Sequence, residues 1–518
     1  DMAKMIENIK FRNVNDGFIH KLEKDKRRIN DSKNIFVFAD KTRNIYEMDA
    51  PAYNKLLTEN VTKTYKHAQD NIKYDINQEL KTIADDLKIS NRIDPMNETP
   101  AFISLKDHKQ DFENHPKCRL INPAKSNLGK VSKTILDSIN NNIRAHTHVN
   151  QWRNSTDAIS WFQSIQNKQR KSFISFDIID FYPSISEQLL DRSIAWAKQF
   201  TEISDQDAAI IKHSRKSLLF HQNRAWSKRN IDNTFDVTMG SYDGAEICEL
   251  IGLFILNTLQ NRFGKNMGLY RDDGLAVINT RSGRLCDKER KELIATFEHL
   301  GLKITALANQ HRTNFLDITF DLNNGTYKPY RKPNDEPLYI NRSSNHPPPV
   351  LRELPHSINR RINTLSCDKE TFEAAAPTYN DALTRSNFNT QLIYEQPDTN
   401  ANTQRKRQRN ITWYNPPYSK NVKTDIAREF LQLIDKHFPP NNKLHKLFNR
   451  HNVRVSYSCS ENMKAFINRH NKAILKKHDN HAKPLNTNTL RPCNCRNQEQ
   501  CPTQGHCLQD NVVYKAEV

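Results

Sequence analysis

The sequence predicts an α+β chain built on antiparallel strands with helical connections, and three stretches predict it. Gly268–Ile278, GLYRDDGLAVI, reads as two short apolar runs, Leu269–Tyr270 and Leu275–Ile278, forming a tight hairpin whose turn Gly274 helps to make. Ile247–Phe263 is apolar almost all round, the pattern of a buried helix. Asp287–Leu300 sets Leu293, Ile294, Phe297 and Leu300 on one face of an amphipathic helix, with Gly301 as its stop.

Composition narrows the partner class. The 518 residues hold 78 Lys+Arg against 59 Asp+Glu, a net charge of +19, with a pI near 9.4 and a mean hydropathy of −0.81. A basic surplus of this size points to a polyanion, nucleic acid first. No apolar run approaches the roughly 18 residues of a membrane helix, so no membrane partner is expected. The opening DMAKMIENIK has no apolar signal core and no initiator Met, so a piece of a longer chain is expected. Five of the nine cysteines are scattered, which suits reduced thiols inside a cell.

Taken in order, residues 1–95 form an N-terminal extension with one strand-like run, Ile35–Ala39, followed by Asp40-Lys41-Thr42. Thr99–Lys133 reads as strand, basic turn, strand, projecting Lys106, Lys109 and Arg119. Such cations suit a triphosphate, though solvated surface charges look the same in sequence. Phe173–Phe176 predicts a buried strand ending at Asp177, where a carboxylate has little structural reason to be. Ser184-Ile-Ser-Glu187 predicts a capping box and a helix running through Trp196. In MGSYDGAE, Gly240 and Gly244 bracket a turn that lets backbone approach a ligand, and Glu246 and Glu249 complement the dipole of the helix that follows. Lys303 falls in a short strand, and Asn314–Leu322 in another.

Asp177 at a strand end and Asp272 in a hairpin invite one mechanism. Two carboxylates meeting at a sheet edge can hold two divalent ions roughly 4 Å apart, one activating a 3′-hydroxyl and the other clamping a triphosphate and its pyrophosphate. Hard oxygen ligands suit Mg²⁺, with Mn²⁺ as its substitute. Asp273 is the third member and the more peripheral one. The bland alternative is a solvated Asp-Asp turn.

The ordered set of basic hairpin with Arg119, FDIIDFYPSI, MGSYDGAE, YRDD, GLKIT and NFLDITF resembles the reverse transcriptases. More narrowly, SSNHPPPVLRELPHSINRRINTL (Ser343–Leu365) and the ending CPTQGHCLQDNVVYKAEV resemble the Penelope-like retroelement family, related to telomerase reverse transcriptases. The resemblance spans roughly residues 95–518. It implies a right-hand polymerase: fingers and an antiparallel-sheet palm over 96–323, then a mostly helical thumb and connection over 324–480 with a polar basic linker near 368–410. It implies Asp177, Asp272 and Asp273 as the metal-binding catalytic triad, and Lys303 as the group protonating pyrophosphate. Nucleotide contacts are implied at Lys106, Arg119, Ile178, Tyr182, Gly240 and Gly244, and a primer contact at Tyr270. Tyr182 matches the aromatic gate that clashes with a ribose 2′-hydroxyl and so favours dNTPs. The family often has a Pro-containing turn where this chain has Ser241-Tyr242-Asp243-Gly244, which leaves template contacts there open.

Thr424–Phe438 predicts an amphipathic helix with Ile426, Phe430, Leu433 and Ile434 inward. The run Arg405–Arg409 reads as a nuclear-localisation signal, an RNA-binding patch or a solvated linker, and a nuclear site of action is expected. Over 481–518, Cys493, Cys495, Cys501 and Cys507 offer either a zinc site or unligated thiols. Val512-Val513-Tyr514 resembles the first strand of a GIY-YIG nuclease, and no cleavage by that route is expected from a sequence ending at Val518. The expected function is RNA-directed DNA synthesis on an RNA template from a DNA primer. The rivals are a decayed or domesticated nucleic-acid-binding copy and telomerase-like end extension.

Overall fold

A computed structural model describes residues 1–482 except 15–16, 43, 70, 108–110, 230–233, 333–334, 397–409 and 460. Lys109, the Arg405–Arg409 run, the four C-terminal cysteines and Val512–Tyr514 lie outside the described residues.

The centre is a five-stranded sheet of β1 (Asn150–Gln151), β2 (Ser172–Ile178), β3 (Met267–Tyr270), β4 (Asp273–Ile278) and β5 (Ile304–Gln310), in the order β5-β2-β4-β3-β1. Every pairing is antiparallel except the short edge pair β3–β1. Helix α1 (Gly244–Phe263) leads into β3, and α2 (Gly283–His299) joins β4 to β5, making a βαββαβ unit with a long insertion after β2. Strand alternation divides the core. Ile174, Phe176, Ile178, Leu269, Ala276 and Ile278 face the helices. Phe173, Leu275 and Val277 face the other way, onto Trp152, Phe162, Phe315 and Phe320. The buried helix and the amphipathic helix of the sequence reading are both present, and Gly301 ends the second at φ +76°.

Several local expectations shift. Gly274 is not a turn residue; it sits within β4 opposite Phe176, whose ring lies where a Cβ would be. Gly268 makes the same room for Trp152. The helix after Tyr182 is capped by Ser186, not Ser184, because Ser184 closes a separate single turn, Phe181–Ser184. Asn314–Leu322 is a hairpin, Arg312–Phe315 with Ile318–Asp321, and its tip places Leu316 at φ +54°. The tip is held because Asp317 accepts from Ser155 and Arg361. Part of the expected linker is helical. After Pro348–Leu365 (α3), Lys369–Arg385 (α4) starts at an Asp368 capping box and buries Phe372, Ala376 and Leu383 against Ile358 and Ile362.

The boundary at residue 95 separates nothing in the packing. Ile35, Val37, Tyr53, Leu57 and Val61 share one core with Ile103, Leu105 and Trp226. Strand Tyr65–His67 pairs with Arg224–Lys228. The last described helix, α5 (Met463–Ala482), docks on the same segment, where the Asn471 amide donates to the Phe36 carbonyl and accepts from its N–H. Residues 10–12 pair with 420–424.

Gly274→Ala is expected to cost about 1–3 kcal/mol, because the added methyl must displace the Phe176 ring. Phe176→Leu in the same chain recovers most of the loss. Denaturant midpoints of the single and double variants check both statements.

Candidate active site

The site follows from register. Tyr270 pairs with Asp273, Asp273 with Asp177, and Asp177 with Thr305, giving one row across four strands. Residues directly opposite one another in antiparallel strands project to the same face. The row therefore stands on the face away from α1 and α2, at the end of the sheet beyond Leu275 and Phe173. Asp177 is exposed, while Asp272 and Asp273 are half-buried. Only Arg271 and Asp272 remain for the hairpin turn, and Arg271 takes the left-handed conformation at φ +55°. The turn is tied to its neighbour because Ile178 N–H donates to the Asp272 carbonyl at 2.9 Å. Ile179 N–H reaches the Lys303 carbonyl at 2.8 Å, so Lys303 enters at the same sheet end.

The three carboxylates share one field. The Asp273 carboxyl is pushed up to about 6, first by burial and then by the charges of Asp272 and Asp177, with Lys332 and Lys41 pulling the other way. Mutual repulsion at a half-buried site is a reason for cations to bind there. Among the described residues no group of three or more His, Cys, Asp or Glu side chains forms a ready metal cage. Mg²⁺ is commonly held by one or two carboxylates together with substrate phosphates and water. The all-oxygen donor set fits it.

Tyr182 stands beside this row. Its ring edge lies 3.4 Å from where a Gly244 Cβ would be. Burial foremost, then the neighbouring Cys248, Asp272 and Glu246 outweighing Arg271, pushes its hydroxyl up to about 12. Gly244 is glycine because Ser241 Oγ, the Thr238 carbonyl and this ring crowd it. Gly240 is glycine because the Asn122–Pro123 backbone crosses it. The loop between them is fixed by Asp243, which is fully buried, pairs with Arg215 and accepts from Ser132.

Arg119 meets Asp40 at 3.0 Å on the hairpin Phe102–Leu105 and Cys118–Ile121, and its buried Nε has no hydrogen-bond partner. Lys106 lies half-buried in that hairpin, its N–H bonded to the Lys117 carbonyl at 2.8 Å. The Ile178 side chain is core, and its N–H is engaged by the Asp272 carbonyl. On the other side Tyr270 opens into a groove lined by Arg153, Leu316, Asp317, Arg360 and Arg361. Sequence reasoning assigned no role to Lys41, Lys332, Arg215 or this groove. Only Asp40-Lys41-Thr42, directly after a strand, gave a hint.

No family model matches the chain, and no curated protein matches it. Among solved structures it is similar to Candida albicans telomerase with a fragment of telomeric RNA: TM-score 0.47, 9% identity, 71% of this chain and 65% of that one. It is also similar to a C-terminally truncated apo telomerase of Candida tropicalis: TM-score 0.39, 14% identity, 57% of this chain and 63% of that one. A human picobirnavirus RNA-dependent RNA polymerase aligns at TM-score 0.38 and 8% identity, over 71% of this chain and 84% of that one. The chain thus spans less than two thirds of the length of both telomerases.

Asp273→Asn is expected to stabilise the fold. A carboxyl raised from 3.8 to about 6 penalises the folded state fully above pH 6 and not at all below about pH 4. The gain is therefore about 1–3 kcal/mol at pH 8 and fades as pH falls from 6 to 4. Thermal denaturation at pH 8 and pH 4 reads it.

Proposed function

We propose that the chain is an RNA-directed DNA polymerase of a Penelope-like retroelement, working in the nucleus on an RNA template with a DNA primer and dNTPs. The observation that carries the reading is the row Tyr270–Asp273–Asp177 with Asp272 at its turn, three carboxylates in one field beside an aromatic residue. In this reading the central sheet is the palm, the hairpin of Lys106 and Arg119 belongs to the fingers, and the helices after residue 348 form the thumb.

Asp177 and Asp272 would hold the metal ions, with Asp273 supporting them. Two bound Mg²⁺ ions supply an activated 3′-hydroxyl and a neutralised triphosphate. Arg119 and Lys106 supply cationic hydrogen bonds to the triphosphate, and bidentate guanidinium contacts are the stronger kind. Tyr182 closes the space a 2′-hydroxyl needs, selecting dNTPs. Lys303 would give a proton to the departing pyrophosphate. Tyr270 and the arginines of the adjoining groove hold the primer strand, where phosphate contacts set position rather than sequence. The C-terminal cysteines as a zinc site remain part of this proposal.

Primer extension on an RNA template with Mg²⁺ and dNTPs tests the reading. The native chain extends the primer, and Asp177→Ala or Asp272→Ala lowers the rate by about a thousandfold or more, the scale of losing an electrostatic catalytic group. Tyr182→Ala keeps extension and admits rNTPs. A native chain that binds the RNA–DNA duplex without extending it refutes the reading in favour of a binding protein.

A further inference from the structure

The nucleotide pocket proposed above is held by a buried network that reaches it from residues assigned so far to no function. Lys228, 8% exposed, donates from Nζ to the Pro183 carbonyl at 2.6 Å. Pro183 is the neighbour of Tyr182 in the single turn Phe181–Ser184. The same Nζ lies 3.1 Å from Asp236 Oδ1, at an angle that makes an ion pair rather than a hydrogen bond. The other Asp236 oxygen accepts from the Tyr65 hydroxyl at 2.6 Å. Tyr65 and Lys228 are direct partners across the pair of strands that joins the N-terminal segment to the insertion after β2.

Asp236 also reaches the other wall of the pocket. Its N–H donates to the Arg215 carbonyl at 2.9 Å, and the Arg215 guanidinium pairs with Asp243, the residue before Gly244. Two of the surfaces that touch Tyr182, its own turn and the Gly240–Gly244 loop, are thus anchored at Asp236, while the ring also packs on the core beside Cys248 of α1. Buried charges are costly to assemble and are a weak source of stability when apolar residues would fill the same space. A buried lysine that bridges Asp236 and the main-chain carbonyl beside the gate residue points to positioning.

We propose that Lys228, with Asp236 and Tyr65, is the tether that sets the height of the Tyr182 ring and so fixes the dNTP-over-rNTP selectivity of the pocket. These three are positioning residues, and none touches the reacting atoms. The segment before residue 95 becomes part of the nucleotide pocket through Tyr65. The inference rests on the polymerase reading for its substrate and on the Lys228–Asp236–Tyr65 contacts for the tether.

The test uses the full chain carrying Lys228→Met together with Asp236→Asn, which removes both charges and leaves no unpaired carboxylate. Two readouts are taken: kcat/KM for dNTP over rNTP, and amide hydrogen exchange across residues 179–186. The selectivity ratio is expected to fall at least about fivefold, carried mainly by KM, with faster exchange over that segment. In a Tyr182→Ala background the same pair of changes lowers selectivity no further, which a purely structural role would not produce. Native selectivity with native exchange overturns the tether. Accelerated exchange in a chain whose native form extends no primer overturns the polymerase reading and its selectivity while leaving the tether as the cause of the ordered turn.

Discussion

The structure depends on one hydrogen-bonded register. Because β4 pairs with β2 so that Asp273 stands against Asp177, the hairpin tip at Asp272 falls at the exposed end of the sheet. Side chains alternate along a strand, so a slip of β2 by one residue would turn Asp177 into the helix-facing core and expose Phe176. Phe176 and Gly274 forbid that slip, since the ring occupies the space that any other residue at 274 would fill. The same alternation drives Phe173, Leu275 and Val277 into a core and leaves the carboxylates at its rim. Packing thus assembles a cluster of like charge that packing alone would disfavour.

Much of this is legible in sequence because it depends on short-range pattern. Short continuous apolar runs mark β2 and β4, a ring of apolar residues marks α1, and an apolar stripe ending at Gly301 marks α2. What was misread involved choices between near-equivalent local signals. Asp-Gly suggested a turn at Gly274, but the turn lies one step earlier, at Arg271-Asp272, because a phenylalanine elsewhere claimed the glycine. Two serines two residues apart both fit a helix cap, and tertiary packing gave the role to Ser186. Leu316 at positive φ hides a hairpin inside an apparent strand, for few sequence rules place a leucine there.

The remainder was illegible because it is assembled from distant parts of the chain. Lys41 and Lys332 act on Asp273 from opposite sides of the sequence. The segment read as an extension shares its core with the basic hairpin and with the last described helix. Its strand Tyr65–His67 completes a sheet with two strands of the insertion after β2. Composition cannot report such closure, since residues 1–95 are as polar and charged as a solvated arm. They pack with the basic hairpin and with the strands of the insertion after β2.

The central claim is that Asp177 and Asp272 meet to hold divalent cations when substrate is present. Mn²⁺ binding followed by electron paramagnetic resonance, on the full chain with a dideoxy-terminated primer, an RNA template and a dNTP, tests it most directly. The account predicts saturable binding in the native chain that is lost in both Asp177→Asn and Asp272→Asn and kept in Lys303→Ala. Equal Mn²⁺ binding by all four proteins would contradict it.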